Sequence, residues 1–159
     1  MSGSGGTGGC VETHGGVEIC DGLDNDCSGV IDDAGCPTDC RGVELAGKGF
    51  MFCETAIDWY TARDSCEGLG MILAKADSDA INTLIMGAAL QTSTSPIWIG
   101  GFDDQSYGWI WPDGELFSWT HWDSGEPAAG NRDCVRLQNN YMWGTLLCSQ
   151  TSRYVCELP

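Results

Sequence analysis

Basic residues are scarce in this sequence: seven Lys and Arg stand against 23 Asp and Glu, and the formal net charge is −16. A chain so acidic repels phosphate backbones, which excludes nucleic-acid binding as its primary role. Histidine is scarcer still, since His14 and His121 are the only two, and the ten cysteines include no CxxC pair. A zinc protein built on Cys and His clusters is therefore not indicated.

Long apolar runs are also missing. No stretch approaches the roughly 18 apolar residues that a membrane-spanning helix needs, so no membrane insertion is expected. Met1 runs directly into a Gly/Ser-rich stretch, without the apolar segment of a signal peptide. We therefore expect that an exported form of this chain has lost its signal.

Cysteine and glycine are what the sequence has in abundance. Ten cysteines among 23 glycines are typical of an oxidising compartment, and an even number leaves none over. The composition predicts a secreted or cell-surface protein with all ten cysteines in disulfides.

The chain divides by composition into three parts. Every Trp, Tyr and Phe lies beyond residue 40, so the packed core is expected there. We predict a flexible Gly/Ser linker over residues 1–9, a Cys-rich acidic segment over residues 10–39, and a folded domain over residues 40–159.

Apolar periodicity within residues 40–159 predicts two helices followed by short strands, which is typical of an α+β fold. The helices are predicted over 56–67 and over 79–90 after an Asp77/Ser78 cap. Their inward faces are expected to carry Trp59, Ala62 and Cys66 in the first, and Ile81, Leu84, Ile85 and Leu90 in the second. The strands are predicted at Ile97–Gly100, Trp109–Trp111, Cys134–Leu137 and Tyr154–Leu158, with Trp98, Trp109 and Trp111 in or near the core.

Six ordered landmarks of this region resemble one known family. They are Trp59-x-x-Ala62-x-x-x-Cys66-x-x-x-Gly70-x-x-Leu73-Ala74, Trp98-Ile99-Gly100-Gly101, Trp109-x-Trp111-x-Asp113-Gly114, Trp122-x-x-x-Glu126-Pro127, Cys134-Val135, and Trp143 with Cys148 and Cys156. Together they resemble the long form of the C-type lectin-like domain. The resemblance implies that fold, with two helices and short antiparallel sheets, and disulfides Cys66–Cys156, Cys134–Cys148 and Cys40–Cys53.

Sugar-binding members of that family hold one Ca²⁺ on a Glu-Pro-Asn motif, a second Glu and an Asn-Asp pair. Here Glu126-Pro127 is kept, whereas Ala128, Arg132 and Gly144-Thr145 occupy the other positions. Because Ca²⁺ needs several oxygen ligands and Arg132 adds a cation, we predict that this principal site is empty.

Two interpretations of Glu126 remain open. In one, it is kept for structure and Arg132 supplies the missing positive charge. In the other, a rebuilt site draws on nearby acids and amides. A site that binds sugar without metal, through Tyr141 or Trp143, is a further alternative. The candidate ligand-binding residues are Glu126, Asn131, Asp133, Asn139, Asn140 and Tyr141, with Asp123 beside them.

The acidic segment contains a better candidate for a metal site than the region around Glu126. Its residues 24–32 follow the first nine positions of an EF-hand loop, with Gly29 at the sharp turn. The predicted ligands are Asp24, Asp26, Ser28, the Val30 carbonyl and Asp32, with Glu18, Asp21 or Asp33 completing the shell. Gly35 stands where the bidentate Glu would be, so weak Ca²⁺ binding is expected.

The same segment resembles a short metal-binding motif, CDGxDNDCxG, of bacterial extracellular proteins. We expect Cys20 and Cys27, which bracket the loop, to pair with each other, leaving Cys10 to pair with Cys36. Two alternatives to Ca²⁺ stay open: an acidic linker that holds no ion, and a soft metal such as copper on free thiols.

The sequence as a whole favours an extracellular binding module whose partner is a glycan or a surface protein. The alternative is a structural or adhesive surface subunit that self-associates and binds no sugar. Because no Ser/His/Asp or Cys/His arrangement stands out, an enzyme is not expected.

Overall fold

The computed structural model describes residues 9–159, so the linker predicted over residues 1–9 lies outside it except for Gly9. From residue 40 onward the chain is an α+β fold. Its elements in chain order are β1 (Cys40–Leu45), β2 (Lys48–Asp58), α1 (Trp59–Gly68), β3 (Ile72–Leu73), α2 (Asp79–Ala89), β4 (Ile97–Asp103), β5 (Trp109–Ile110), β6 (Cys134–Leu137), β7 (Trp143–Leu146) and β8 (Thr151–Glu157).

The strands form one mixed sheet in the order β1-β2-β8-β4-β6-β7, with β3 beside β8 and β5 beside β4. Strand β8 lies antiparallel to β2 and parallel to β4. This parallel pair corrects the expectation of short antiparallel sheets. The expected order of helices before strands is also wrong, because β1 and β2 precede α1. A parallel pairing between distant segments leaves no hairpin signal in the sequence.

Both helices begin at a side-chain cap. Asp58 accepts a hydrogen bond from the Thr61 amide at 3.1 Å and starts α1, so the predicted start at residue 56 was too early. Ser78 caps α2, whose buried side chains are Asn82, Ile85, Met86 and Ala89, whereas Leu84 is 39% exposed. The predicted inward position of Leu84 is therefore wrong. In residues 9–159 neither helix has the length and apolar character to cross a bilayer.

The core packs on both faces of the sheet. Trp98 and Trp111 are buried, and Trp109 is half-buried against the same core, in agreement with the sequence prediction. Trp143 lies at the centre of an aromatic cluster, with its ring 5.4–5.8 Å from those of Trp111, Phe117, Trp119 and Trp122. Its Nε1 donates to Asn82 Oδ1 at 2.7 Å, so the buried indole is hydrogen-bonded.

Three disulfides fasten this region in the pairing that the family resemblance implies. They are Cys66–Cys156, Cys134–Cys148 and Cys40–Cys53. All ten cysteines lie within the described residues, and none of them is free.

The acidic segment, residues 10–39, packs against the hairpin of β1 and β2. A Cβ on Gly22 would overlap the backbone of Phe50, and one on Gly49 would overlap the Asp21 carbonyl. Such close backbone approach is open only to glycine. Gly22 and Gly49 thus let the segment lie directly on β2.

Candidate functional site

Two crossing disulfides organise the acidic segment. Cys10 pairs with Cys27 and Cys20 with Cys36, so the expected pairs Cys20–Cys27 and Cys10–Cys36 are wrong. The two loops overlap along the chain, and each disulfide ties one end of the metal-binding motif to a flanking stretch. Since all four sulfurs are bonded to sulfur, no thiolate of this segment is left for a soft metal.

Three carboxylates of the segment converge. Glu18, Asp24 and Asp26 each bring one oxygen within 4.8 Å of the others, and all three side chains are half-buried. We call these residues the acidic cluster. Within residues 9–159 it is the one group of three or more potential metal-ligating acidic, His or Cys side chains.

Backbone amides hold the acidic cluster in place. The Ser28 amide donates to Asp24 at 3.0 Å and to Asp26 at 2.9 Å, and the Gly29 amide donates to Asp24 at 2.8 Å. The Ser28 amide holds the pKa of Asp26 below its ordinary value, because it stabilises the ionised carboxylate. The amides of this turn therefore fix the carboxylates of Asp24 and Asp26 beside each other and keep Asp26 ionised.

Glu18 closes the cluster from the other side. Its carboxylate accepts the Asp26 amide at 2.8 Å and the Asp32 amide at 3.1 Å. The sequence placed Glu18 among the residues that complete the shell, and the structure brings it directly beside Asp24 and Asp26.

Asp32 is not part of the cluster, which corrects its predicted place at position nine of an EF-hand loop. Its carboxylate accepts the Asp21 amide at 3.1 Å and the Gly22 amide at 3.1 and 3.3 Å. It also lies against Gly42 on β1. Burial raises the pKa of Asp32 to about 6, so this carboxyl belongs to the junction with the sheet.

Asp21 is likewise committed to local structure. It is 3% exposed, and its oxygens accept from the Leu23 amide at 3.0 Å and from Asn25 Nδ2 at 3.3 Å. Asn25, at 1% exposed, also donates to Thr13 and accepts from the Ile19 amide. Asn25 was not predicted from the sequence, although its place inside the DND run marks it as one of the few residues there with both donors and an acceptor.

The remaining predicted ligands lie at the edge of the acidic cluster. The Ser28 hydroxyl is 3.4 Å from both the Val30 carbonyl oxygen and Asp33 Oδ2. Both residues lie on the exposed side of the same turn. Their oxygens extend a donor set of carboxylates and a carbonyl, which suits a hard divalent cation such as Ca²⁺.

Within the described chain, Glu126 does not lie in such a group of metal-ligating side chains. Its Oε2 accepts the Ala128 amide at 2.8 Å and the Thr145 amide at 3.0 Å, and the Thr145 hydroxyl donates to the same oxygen. Thr145 is 2% exposed and stands where the sugar-binding pattern has an acidic or amide ligand. Glu126 Oε2 thus accepts three hydrogen bonds from the protein itself. Since Ala128 and Thr145 bring no carboxylate to this position, the residues present do not fit calcium.

The other residues predicted around Glu126 are scattered. Asn140 donates to Asp123 at 3.0 Å, and this hydrogen bond lowers the pKa of Asp123. Asp133 instead accepts from Gln105 at 3.1 Å. Tyr141 packs against the core and accepts from Asn82 through its carbonyl. Asn131 and Asn139 are exposed.

Arg132 does not take the role predicted for it either. It is exposed, and in the described chain it forms no ion pair with Glu126 or any other acid. The hydrogen bonds from the Ala128 amide and from Thr145 stabilise the Glu126 carboxylate instead.

Sequence comparison finds two families in the chain. The family model described as "Lectin C-type domain" matches residues 55–158, and one described as a metal-binding motif matches residues 13–33. C-type lectin domain family 4 member G of Mus musculus is 26% identical over 121 residues, covering 70% of this chain. Lymphocyte antigen 75 of Homo sapiens is 29% identical over 133 residues, covering 79% of this chain. The matched parts span 39% and 8% of those two proteins.

Solved structures resemble the same region. The carbohydrate-recognition domain of cow CD23, determined in the presence of a GlcNAc2Man3 oligosaccharide, aligns with a TM-score of 0.66 at 28% identity. The alignment covers 77% of this chain and 95% of that domain. The SPL-1–GlcNAc complex aligns with the same TM-score at 25% identity, over 77% of this chain and 97% of the other.

Proposed function

Because this chain belongs to the C-type lectin domain family, we propose that it is an extracellular binding module that recognises carbohydrate or another surface ligand. The observation that carries the proposal is the family match over residues 55–158, together with the lectin fold of the matched region. Five disulfides support a secreted or cell-surface location. We also propose that the chain has no enzymatic activity, since its relatives are lectin domains.

Ligand recognition is proposed to proceed without calcium at Glu126. In this fold rigid strands support loops that can vary, so contacts other than the metal are open to the ligand. Glu126 is the one carboxylate that remains of the sugar-binding pattern, which supports this view because Ca²⁺ needs several oxygen ligands.

A glycan array in buffer and in EDTA tests this proposal. We expect a set of glycans to be retained, with signals that EDTA leaves unchanged. Loss of every signal in EDTA would show that the ligand site depends on a metal and would contradict the proposed role of Glu126. Absence of any signal would favour the second candidate function.

That second candidate is a structural or adhesive subunit that makes protein contacts. Tyr107 and Leu116 favour it, because they are 78% and 61% exposed and line one surface cavity with Ile110. Exposed apolar patches of this kind are typical of protein interfaces. Sedimentation over a range of concentrations, with Tyr107→Ser/Leu116→Ser for comparison, measures whether the chain self-associates through them.

For the acidic segment we propose Ca²⁺ as the bound ion, held by Glu18, Asp24 and Asp26. The match to a metal-binding motif over residues 13–33 and the convergence of three carboxylates support this assignment. A bound divalent cation would offset the mutual repulsion of these carboxylates and order the turn around Ser28.

Calorimetric titration measures the proposed calcium site. We expect a dissociation constant of about 10⁻⁴–10⁻³ M, as in weak extracellular modules, and loss of the heat in Asp24→Ala/Asp26→Ala. The matched control is Asp64→Ala/Glu67→Ala, which removes the same charge from the exposed face of α1. Equal heats in the two double variants would contradict the assignment.

A further inference from the structure

Five of the seven cationic side chains are engaged by the protein. Lys48, Arg63, Lys75 and Arg153 form ion pairs with acidic residues, and Arg41 donates to the Ala88 carbonyl oxygen. Arg132 and Arg136 have no ion pair within residues 9–159, although this region carries all 23 acidic residues. Of these two, Arg132 is exposed and Arg136 is half-buried.

Arg136 lies on β6, the strand beside the edge strand β7. On β6 it faces Trp98 of β4 on one side and Gly144 of β7 on the other. Its Nε is the one buried side-chain nitrogen or oxygen in the described chain without a hydrogen-bond partner. Its two terminal nitrogens also donate no hydrogen bond within residues 9–159, but they are not among the buried unpartnered atoms, so they are accessible to an anionic group.

A surface cavity of about 260 Å³ opens beside this side chain, and Ser95 and Thr151 line it together with Arg136. Ser95 and Thr151 are exposed, and their hydroxyls form no hydrogen bond within residues 9–159, so both are open to a ligand. The volume of the cavity lies just below the range for small-molecule sites.

The charges around the cavity favour an anion. Arg153 and Glu54 also line it, and they neutralise each other as an ion pair at 3.4 Å. Arg153 is further bound by the carbonyls of Ala89, Ser93 and Ser95, so it has no donor to spare. Arg136 therefore leaves a net positive charge here, in a chain whose net charge is −16.

We propose that this cavity is a binding site for the carboxylate of an acidic sugar. A carboxylate matches the two parallel donors at the end of a guanidinium, and a neutral sugar does not. The hydroxyls of Ser95 and Thr151 are suited to the hydroxyls of the ring. Naming a sugar as the carrier of the carboxylate rests on the proposed function, whereas the carboxylate site itself rests on Arg136 alone.

Titration with glucuronate, followed by NMR on the Arg136 Nε–Hε signal, tests the site. We expect millimolar binding of glucuronate, weaker binding of acetate, and no binding of glucose at the same concentrations. In Arg136→Gln the affinity for glucuronate is expected to fall about ten-fold or more, because a charged hydrogen bond is lost.

The matched control is Arg132→Gln, which removes the same charge from an exposed side chain and is expected to change the affinity less than two-fold. Thermal unfolding without ligand shows whether Arg136→Gln stays folded, and we expect no loss of stability because Nε has no protein acceptor. No binding of glucuronate, or equal affinity in Arg136→Gln and wild type, would overturn the proposal. A glycan array without signals would count against the proposed function but leave a measured glucuronate site standing.

Discussion

The lectin region and the acidic segment are ordered by different forces. Residues 40–159 bury a large apolar core, with Trp59, Trp98, Trp111 and Trp143 among its fully buried side chains. Residues 10–39 bury Asp21 and Asn25 instead, and expose Val11, Val17 and Val30. The first region is stabilised mainly by apolar burial, and the second by disulfides and carboxylate–amide hydrogen bonds.

Because these forces differ, the two regions should respond to different perturbations. Loss of apolar volume should unfold the lectin region and leave the crossed disulfides of the segment intact. Loss of a disulfide or of a glycine contact should release the segment and leave the sheet folded. Each of the following predictions tests one side of that separation.

The largest effect is expected from Trp143→Ala. Removing this ring from the centre of the aromatic cluster leaves a cavity and an unpaired Asn82 oxygen, and should lower the free energy of unfolding by about 3–5 kcal/mol. Urea unfolding followed by tryptophan fluorescence measures it. Leu84→Ala, at an exposed position of α2, is the control and should change the value by less than about 1 kcal/mol. Similar losses in both variants would show that the core is not centred on Trp143.

The next effect concerns the crossed disulfides. Cys20→Ala/Cys36→Ala opens a link between residues 16 apart and should destabilise the segment by about 3 kcal/mol. Hydrogen exchange at the Asp21 and Gly22 amides measures the loss, and amides of β8 serve as the internal control.

The disulfide pairing itself is open to a direct check. Cleavage at Asp and Glu separates Cys10, Cys20, Cys27 and Cys36 into different peptides. Mass spectrometry should then find Cys20 linked to Cys36. Finding Cys20 linked to Cys27 would contradict the structure of the segment.

A smaller effect is expected where the segment meets the sheet. Gly22→Ala places a Cβ into the backbone of Phe50, which should weaken docking by about 1–3 kcal/mol. Gly15→Ala is the matched control, because Gly15 has a similar positive φ (69° against 79°) with nothing within 4 Å of its Cβ position. Hydrogen exchange at the Gly22 and Phe50 amides should rise only in Gly22→Ala. Equal exchange in the two variants would mean that backbone strain alone matters.

The smallest effect is a pH dependence of the same junction. The folded pKa of Asp32, about 6, lies above its ordinary value of 3.8, so the folded state holds the proton more tightly. The stability contributed by the neutral carboxyl is complete below about pH 4 and is lost as the pH rises through about 6. Carbon NMR of the Asp32 carboxyl in EDTA should show a midpoint near 6. A midpoint near 4 would contradict the predicted pH dependence of the junction.

Much of the fold could be predicted because the lectin landmarks carry their own spacing. Trp59, Ala62 and Cys66 lie on one helical face, and the structure buries all three. The start of α1 was missed because residues 56–58 continue β2, and a strand that runs into a helix shows no break in composition. Leu84 was misplaced because the apolar residues of α2 fit more than one helical stripe, and only packing selects the buried one.

The acidic segment was less predictable because its register depends on long-range contacts. The spacing from Asp24 to Asp32 fits an EF-hand, but Asp32 adopts a φ of 52° and binds amides of residues 21 and 22. The disulfide partners could not be chosen from spacing either, since four cysteines allow three pairings and spacing alone favours none of them. From the sequence, Thr145 marked only the loss of a calcium ligand, whereas in the structure its hydroxyl donates a hydrogen bond to Glu126.

The central place of β8 has a consequence for how the chain is made. This strand pairs with β2, β3 and β4 and carries Cys156, which closes on Cys66. Until residue 157 has left the ribosome, the sheet is split between its two halves, and both expose apolar edges to water. Earlier disulfides such as Cys40–Cys53 can form locally, but Cys66 must wait for the last strand. The nascent lectin region is therefore expected to need protection of Cys66 and of the edge of β2 throughout its synthesis.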